Sequence, residues 1–102
     1  MKTQIPELER LRQQLRVLLP ELRERFGVVS LALFGSYVRG QAGAESDLDV
    51  LVELDERPFS LLQFIELEQW LSDRLGVRVD LVEKSALKEE LRPFILQEAV
   101  PI

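Results

Sequence analysis

The sequence predicts a small α/β domain, a mixed three-stranded sheet with helices in the order α-β-α-β-α-β-α. Three observations point there. Apolar residues recur at three- and four-residue spacing in two long stretches, and three short apolar segments stand between and after them. Glycine or proline punctuates most of the joins. The length, 102 residues, suits one domain spanning 1–102.

The first helix rests on Ile5, Leu8, Leu11, Leu15, Leu18, Leu22 and Phe26, an amphipathic stripe. Pro6 suits its first turn. Pro20 lacks an amide hydrogen, so a kink or a split near Leu19 is expected, and Gly27 is the stop. Residues 28–34 are β-branched and apolar, a buried strand that Gly35-Ser36 ends. A short helix or turn over 36–40 and a small, polar loop over 41–46 follow.

Residues 47–54 alternate. Leu48, Val50, Val52 and Leu54 share one face, Asp47, Asp49, Leu51 and Glu53 the other. After a turn at 55–58, Ser60 and Gln63 have capping-box spacing. Leu61, Phe64, Leu67, Leu71 and Leu75 form the buried stripe of the next helix, which leaves Leu62 and Trp70 off it. Gly76 closes that helix. Residues 77–83 make the third strand, with Val77, Val79 and Leu81 opposite Arg78, Asp80 and Val82. If the two are neighbours it should run parallel to the second, because a helix joins them. Ser85 can cap a last helix, which Pro93 interrupts or restarts.

Composition removes whole classes of chemistry. There is no cysteine and no histidine. Disulfides, thiol nucleophiles, thiolate or imidazole zinc sites and histidine acid–base work are therefore excluded. Any metal must be held by oxygen, which favours a hard ion such as Mg²⁺ or Mn²⁺. A net charge of −5 argues against direct nucleic-acid binding by phosphate neutralisation. Arg10, Arg12, Arg16, Arg23 and Arg25 alternate with Glu7, Glu9, Glu21 and Glu24, the pattern of a salt-bridged, solvated helix face. Apolar runs are too short to span a membrane. With charge from Lys2 onward and no apolar leader, a cytoplasmic protein is expected.

Asp47 and Asp49, at i and i+2 on a strand, point to one face about 7 Å apart. Asp80 occupies the matching face of the next strand. Three clustered carboxylates repel unless a divalent cation sits among them. Two Mg²⁺ ions about 4 Å apart would clamp the attacking and leaving oxygens of a phosphoryl displacement. Gly35-Ser36 supplies a second element: glycine lets backbone approach a phosphate, and the serine hydroxyl adds a donor. Taken singly, Gly-Ser is an ordinary turn, Asp-Leu-Asp an exposed strand end and Asp80 a solvent-facing residue. Together, separated by a ten-residue loop between Ser36 and Asp47, they form a phosphate cradle facing a metal platform.

The stretch GSYVRGQAGAESDLDVLVEL, together with VDLVEK at 79–84 and the terminal EAVPI at 98–102, resembles the DNA polymerase beta-like nucleotidyltransferases. It is most similar to their short MNT members, antitoxins paired with HEPN-domain ribonuclease toxins. The resemblance implies the nucleotidyltransferase fold. It implies that Gly35 and Ser36 contact the β- and γ-phosphates of ATP, that Asp47 and Asp49 ligate two Mg²⁺ ions, and that Asp80 completes the metal site and helps deprotonate the incoming hydroxyl. Arg39 and Gly40 match the family's Arg-Gly. Arg39 either touches the triphosphate or pairs with Glu45 or Asp47. Val38 stands where alanine is usual, and removes no catalytic group.

The resemblance leads to an antitoxin that transfers AMP from ATP to a hydroxyl, of tyrosine type, on a HEPN toxin, in a hetero-oligomer with it. With about twenty residues beyond the third strand, the acceptor should bring its own binding surface. Two other readings are a non-catalytic antitoxin that neutralises by binding and a nucleotidyltransferase acting on an antibiotic or other small molecule. Leu62 and Trp70 are the candidate partner patch, against the alternative that Trp70 covers the chain's own core edge.

Overall fold

The computed structural model describes residues 6–102; the expected start of the first helix at Ile5 lies outside them. Helix α1 (Pro6–Phe26) leads into strand β1 (Val28–Phe34) and the four-residue helix α2 (Ser36–Arg39). Strand β2 (Leu48–Leu54), helix α3 (Leu61–Leu75) and strand β3 (Val79–Glu83) follow. A 3-10 turn at Lys84–Ala86, helix α4 (Arg92–Glu98) and strand β4 (Val100–Pro101) complete the chain. No described helix is long and apolar enough to cross a membrane.

The sheet has four strands, not three, in the order β3-β2-β1-β4. It is mixed: β2 and β3 run parallel, as the helical crossover requires, while β1 is antiparallel to both β2 and β4. The unforeseen β4 is two residues long and contains Pro101, a composition without strand signal. It exists because the edge of β1 offers unpaired backbone groups, and it pairs through Ala32↔Pro101 and Leu33↔Val100.

Register places Leu31↔Val52, Leu33↔Val50, Val50↔Leu81 and Leu48↔Val79 on one face. Helices α1 and α3 cover that face, and Leu11, Leu15, Leu22, Leu67, Leu71 and Leu75 interdigitate with it in one core. Helix α1 runs unbroken through Pro20, against the expected split. The proline forgoes one backbone hydrogen bond, at about 3 kcal/mol. Leu15 before it and Leu22 and Phe26 after it stay in phase and buried, each contributing about 1.5–3 kcal/mol.

On α3 the capping box forms as anticipated: the Ser60 hydroxyl accepts from Gln63 N–H, and the Gln63 side chain from Ser60 N–H. The stripe is rotated, however. Leu61 is exposed, and Trp70 is buried in its place. Trp70 meets Phe26 edge to face with ring centroids 5.8 Å apart, and the Arg74 guanidinium lies 4.4 Å from its ring. The aromatic covers the chain's own core. Its membership of a partner patch is therefore corrected, while Leu62 remains exposed beside Leu61 and Ile65.

Strand β3 begins at Val79 rather than residue 77. Ser85 falls in the 3-10 turn and caps nothing; α4 instead starts around Pro93, which sits in its first turn. There the missing amide hydrogen is harmless. The arginines of α1 pair within the helix, Arg10 with Glu7, Arg12 with Glu9 and Arg25 with Glu21. Arg12 also donates to the Pro101 carbonyl at 2.9 Å, and Arg16 to that of Ile102.

Candidate active site

The face of the sheet opposite α1 and α3 carries the polar residues. Pairing sets Phe34, Asp49 and Asp80 side by side across β1, β2 and β3. Strict alternation along β2 makes this unavoidable, since the core takes Leu48 and Val50. Helix α4 lies over the lower part of this face: Leu96 and Ala99 line a hollow of about 220 Å³ together with Ala32 and Leu51. That cover explains why Leu51 is buried on the polar face.

Asp49 is the centre of the arrangement. Its carboxyl is pushed up to about 6, first by partial burial and then by the charge of Asp80 and a hydrogen bond shared with it. Asp47 adds further repulsion, and the nearby Arg39 guanidinium partly offsets it. A half-buried carboxylate with a like-charged neighbour resists ionisation, which is the electrostatic condition a divalent cation relieves.

Gly35 follows β1 directly and adopts φ 82° and ψ −155°, a region that side chains with a Cβ avoid. A Cβ there would lie 1.9 Å from Asp49 Oδ2. The glycine therefore permits both the bend and the contact between the bend and the carboxylate. Val38 and Arg39 N–H groups donate back to the Gly35 carbonyl, at 3.1 Å each, which starts α2 with Ser36 at its first position. The bend at Gly35 and the Asp49 carboxylate meet.

Asp47 stands one residue before β2, and its Oδ1 accepts from Arg78 Nε at 2.6 Å. Its carboxylate is engaged with this arginine, and among the described residues no three acidic side chains stand in one metal-holding group. Two of the three expected ligands are brought together; the third is held aside. Arg39 pairs with neither Glu45 nor Asp47. Its Nη1 donates to Glu98 Oε1 at 2.8 Å and its Nε to Gln41. Glu98 Oε2 in turn accepts from the Gly35 N–H at 2.6 Å. These two donors hold the Glu98 carboxyl below the usual carboxylate range, the Gly35 amide foremost. Glu98 and Arg78 were not singled out from sequence as site residues, because each acts on a residue at least 31 positions away.

An all-oxygen carboxylate pair beside a glycine–serine bend on an open sheet face defines a class, the nucleotidyltransferases. The chain belongs to the nucleotidyltransferase domain family, whose model matches residues 15–102. Within that family it is an enzyme similar to proteins named protein adenylyltransferases. It is 58% identical over 80 residues to protein adenylyltransferase MntA of Thermococcus cleftensis, covering 78% of this chain and 80% of that relative. A solved minimal nucleotidyltransferase matches with a TM-score of 0.75 at 37% identity, over 99% of this chain and 100% of that one. A crystal structure of a mutant toxin–antitoxin MntA-HpeT matches with a TM-score of 0.67 at 25% identity, over 85% of this chain and 69% of that one.

Proposed function

We propose that this chain is an antitoxin that transfers AMP from Mg-ATP to a hydroxyl, of tyrosine type, on a HEPN ribonuclease toxin. The observation that carries the reading is the contact of Asp49 with both Asp80 and Gly35. It joins a carboxylate pair to a phosphate-facing bend. The MntA relative named as a protein adenylyltransferase and the MntA-HpeT toxin–antitoxin structure support a toxin protein as the acceptor.

The oxygen-only donor set fits magnesium. Asp49 and Asp80 would hold it, and Asp47 would join them on releasing Arg78. Bound there, the metal would stabilise negative charge developing on the phosphate oxygens. The chain's own groups do the rest. Gly35, Ser36 and Arg39 orient the β- and γ-phosphates. The acceptor oxygen attacks the α-phosphorus, its bond to the bridging oxygen of pyrophosphate breaks, and pyrophosphate leaves. The hydroxyl proton passes to a carboxylate, a role the exposure of Asp80 supports. The product carries a bulky anion, which would exclude RNA phosphates from the toxin.

Incubation with α-labelled ATP, Mg²⁺ and the partner protein tests this. Label should move to the partner and vanish with Asp49→Ala. A second reading, neutralisation by binding alone, draws on the exposed Leu61, Leu62 and Ile65 of α3. It gains if neutralisation survives Asp47→Ala and Asp49→Ala. Label appearing on an aminoglycoside and not on the partner would replace both.

A further inference from the structure

We propose that Glu98 is a built-in competitor for the nucleotide, a carboxylate that occupies the phosphate-facing donors until a triphosphate displaces it. The proposal rests on the nucleotide-binding reading above and adds a control on that site. One carboxylate spans the Gly35 amide, at 2.6 Å, and the Arg39 guanidinium, at 2.8 Å. These are a backbone donor at the bend and the arginine of α2, the pair that an anionic phosphate oxygen would use. A guanidinium has donors to share, but a backbone amide has a single hydrogen. Glu98 and a phosphate oxygen therefore cannot both hold Gly35.

The position of Glu98 also argues for a ligand-like role. It is the last residue of α4, an end where the helix dipole disfavours negative charge. The carboxylate sits there because Gly35 and Arg39 hold it. The segment that carries it is lightly attached. Helix α4 has seven residues, none of them fully buried. Strand β4 pairs with β1 at two positions, and Arg12 binds its Pro101 carbonyl. The firmer hold is on Ile102 beyond it, which accepts from Arg16, donates to the Leu31 carbonyl and packs against the core. Nucleotide entry can thus move Glu98 aside without opening the core. Apparent affinity is then the intrinsic affinity multiplied by the fraction of molecules in which Glu98 has let go.

Full-length protein and Glu98→Gln should be titrated with Mg²⁺ and a non-hydrolysable ATP analogue by calorimetry, after thermal melts confirm that both are folded. The amide side chain can still accept from Gly35 but carries no charge. The variant should bind about tenfold more tightly. In the wild type, amide hydrogen exchange over residues 91–102 should speed up on adding nucleotide. Equal or weaker binding by the folded variant, with exchange at 91–102 unchanged, would make Glu98 a structural brace and overturn the proposal. Absence of binding by both folded proteins would instead remove the nucleotide reading, and the competitor with it.

Discussion

The two faces of one sheet follow opposite rules. On the helix-covered face, Leu33, Leu48, Val50 and Val52 are completely buried, and every contact favours folding. One residue along in each strand, Phe34, Asp49 and Asp80 line up on the other face, where partial burial and the charge of Asp80 raise the proton affinity of Asp49. The pleat makes the division sharp, because neighbouring residues of a strand cannot share a face. Stability is concentrated on one side, and the candidate site lies on the other. Substitutions should separate the two.

The largest effects fall on activity. Asp49→Asn keeps shape but removes charge, and label transfer should fall by at least about 10³-fold while the protein stays folded. Gly35→Ala drives a methyl group into Asp49 and strains the backbone. It should cost about 2–3 kcal/mol in denaturant melts and most of the transfer activity. On the covered face, Leu33→Ala should lower stability by about 2–5 kcal/mol, yet leave Mg-nucleotide affinity within about threefold when measured on the folded protein.

Smaller, but more telling, is the pH dependence of stability. The Asp49 carboxyl lies at about 6 in the folded protein against an ordinary 3.8. Between those values the folded chain holds more protons than the unfolded one, so stability falls as pH rises through the window. The penalty is absent below about pH 4 and full above about pH 6. Asp49→Asn should therefore be more stable than wild type by about 1 kcal/mol at pH 7.5, after allowance for solvent screening, with no gain at pH 4. Smallest of all, Arg78→Ala should free Asp47 and improve Mg²⁺ affinity about two- to threefold. Unchanged Mg²⁺ affinity would mean that Asp47 is not restrained by its arginine.

What could be read from sequence was what depends on short spacing. The alternation at 47–54 assigned Asp49 to the open face, Ser60 and Gln63 marked the start of α3, and Gly35-Ser36 marked the bend. The parallel direction of β2 and β3 followed from the helical crossover, while the register that sets Asp49 beside Asp80 came from the structure. The rest depended on distant partners. Pro20 stays inside a helix because leucines on both sides reach the same core. Trp70 turned inward to meet Phe26, 44 positions earlier in the chain. Strand β4 pairs with β1 across most of the sequence, and the engagement of Asp47 by Arg78 and of Gly35 by Glu98 has no periodicity to announce it. Motif residues were therefore visible, and the side chains that restrain them were not.

We propose that Asp49 gives up stability that a bound metal–nucleotide complex restores. Thermal unfolding of wild type and Asp49→Asn at pH 7.5, with and without saturating Mg-ATP, tests this most directly. A hundredfold excess over Kd should add about 2.7 kcal/mol to the wild type, a rise on the order of 10 °C for a chain of this size. The variant should start higher and gain almost nothing. Equal upward shifts in the two proteins would contradict the account.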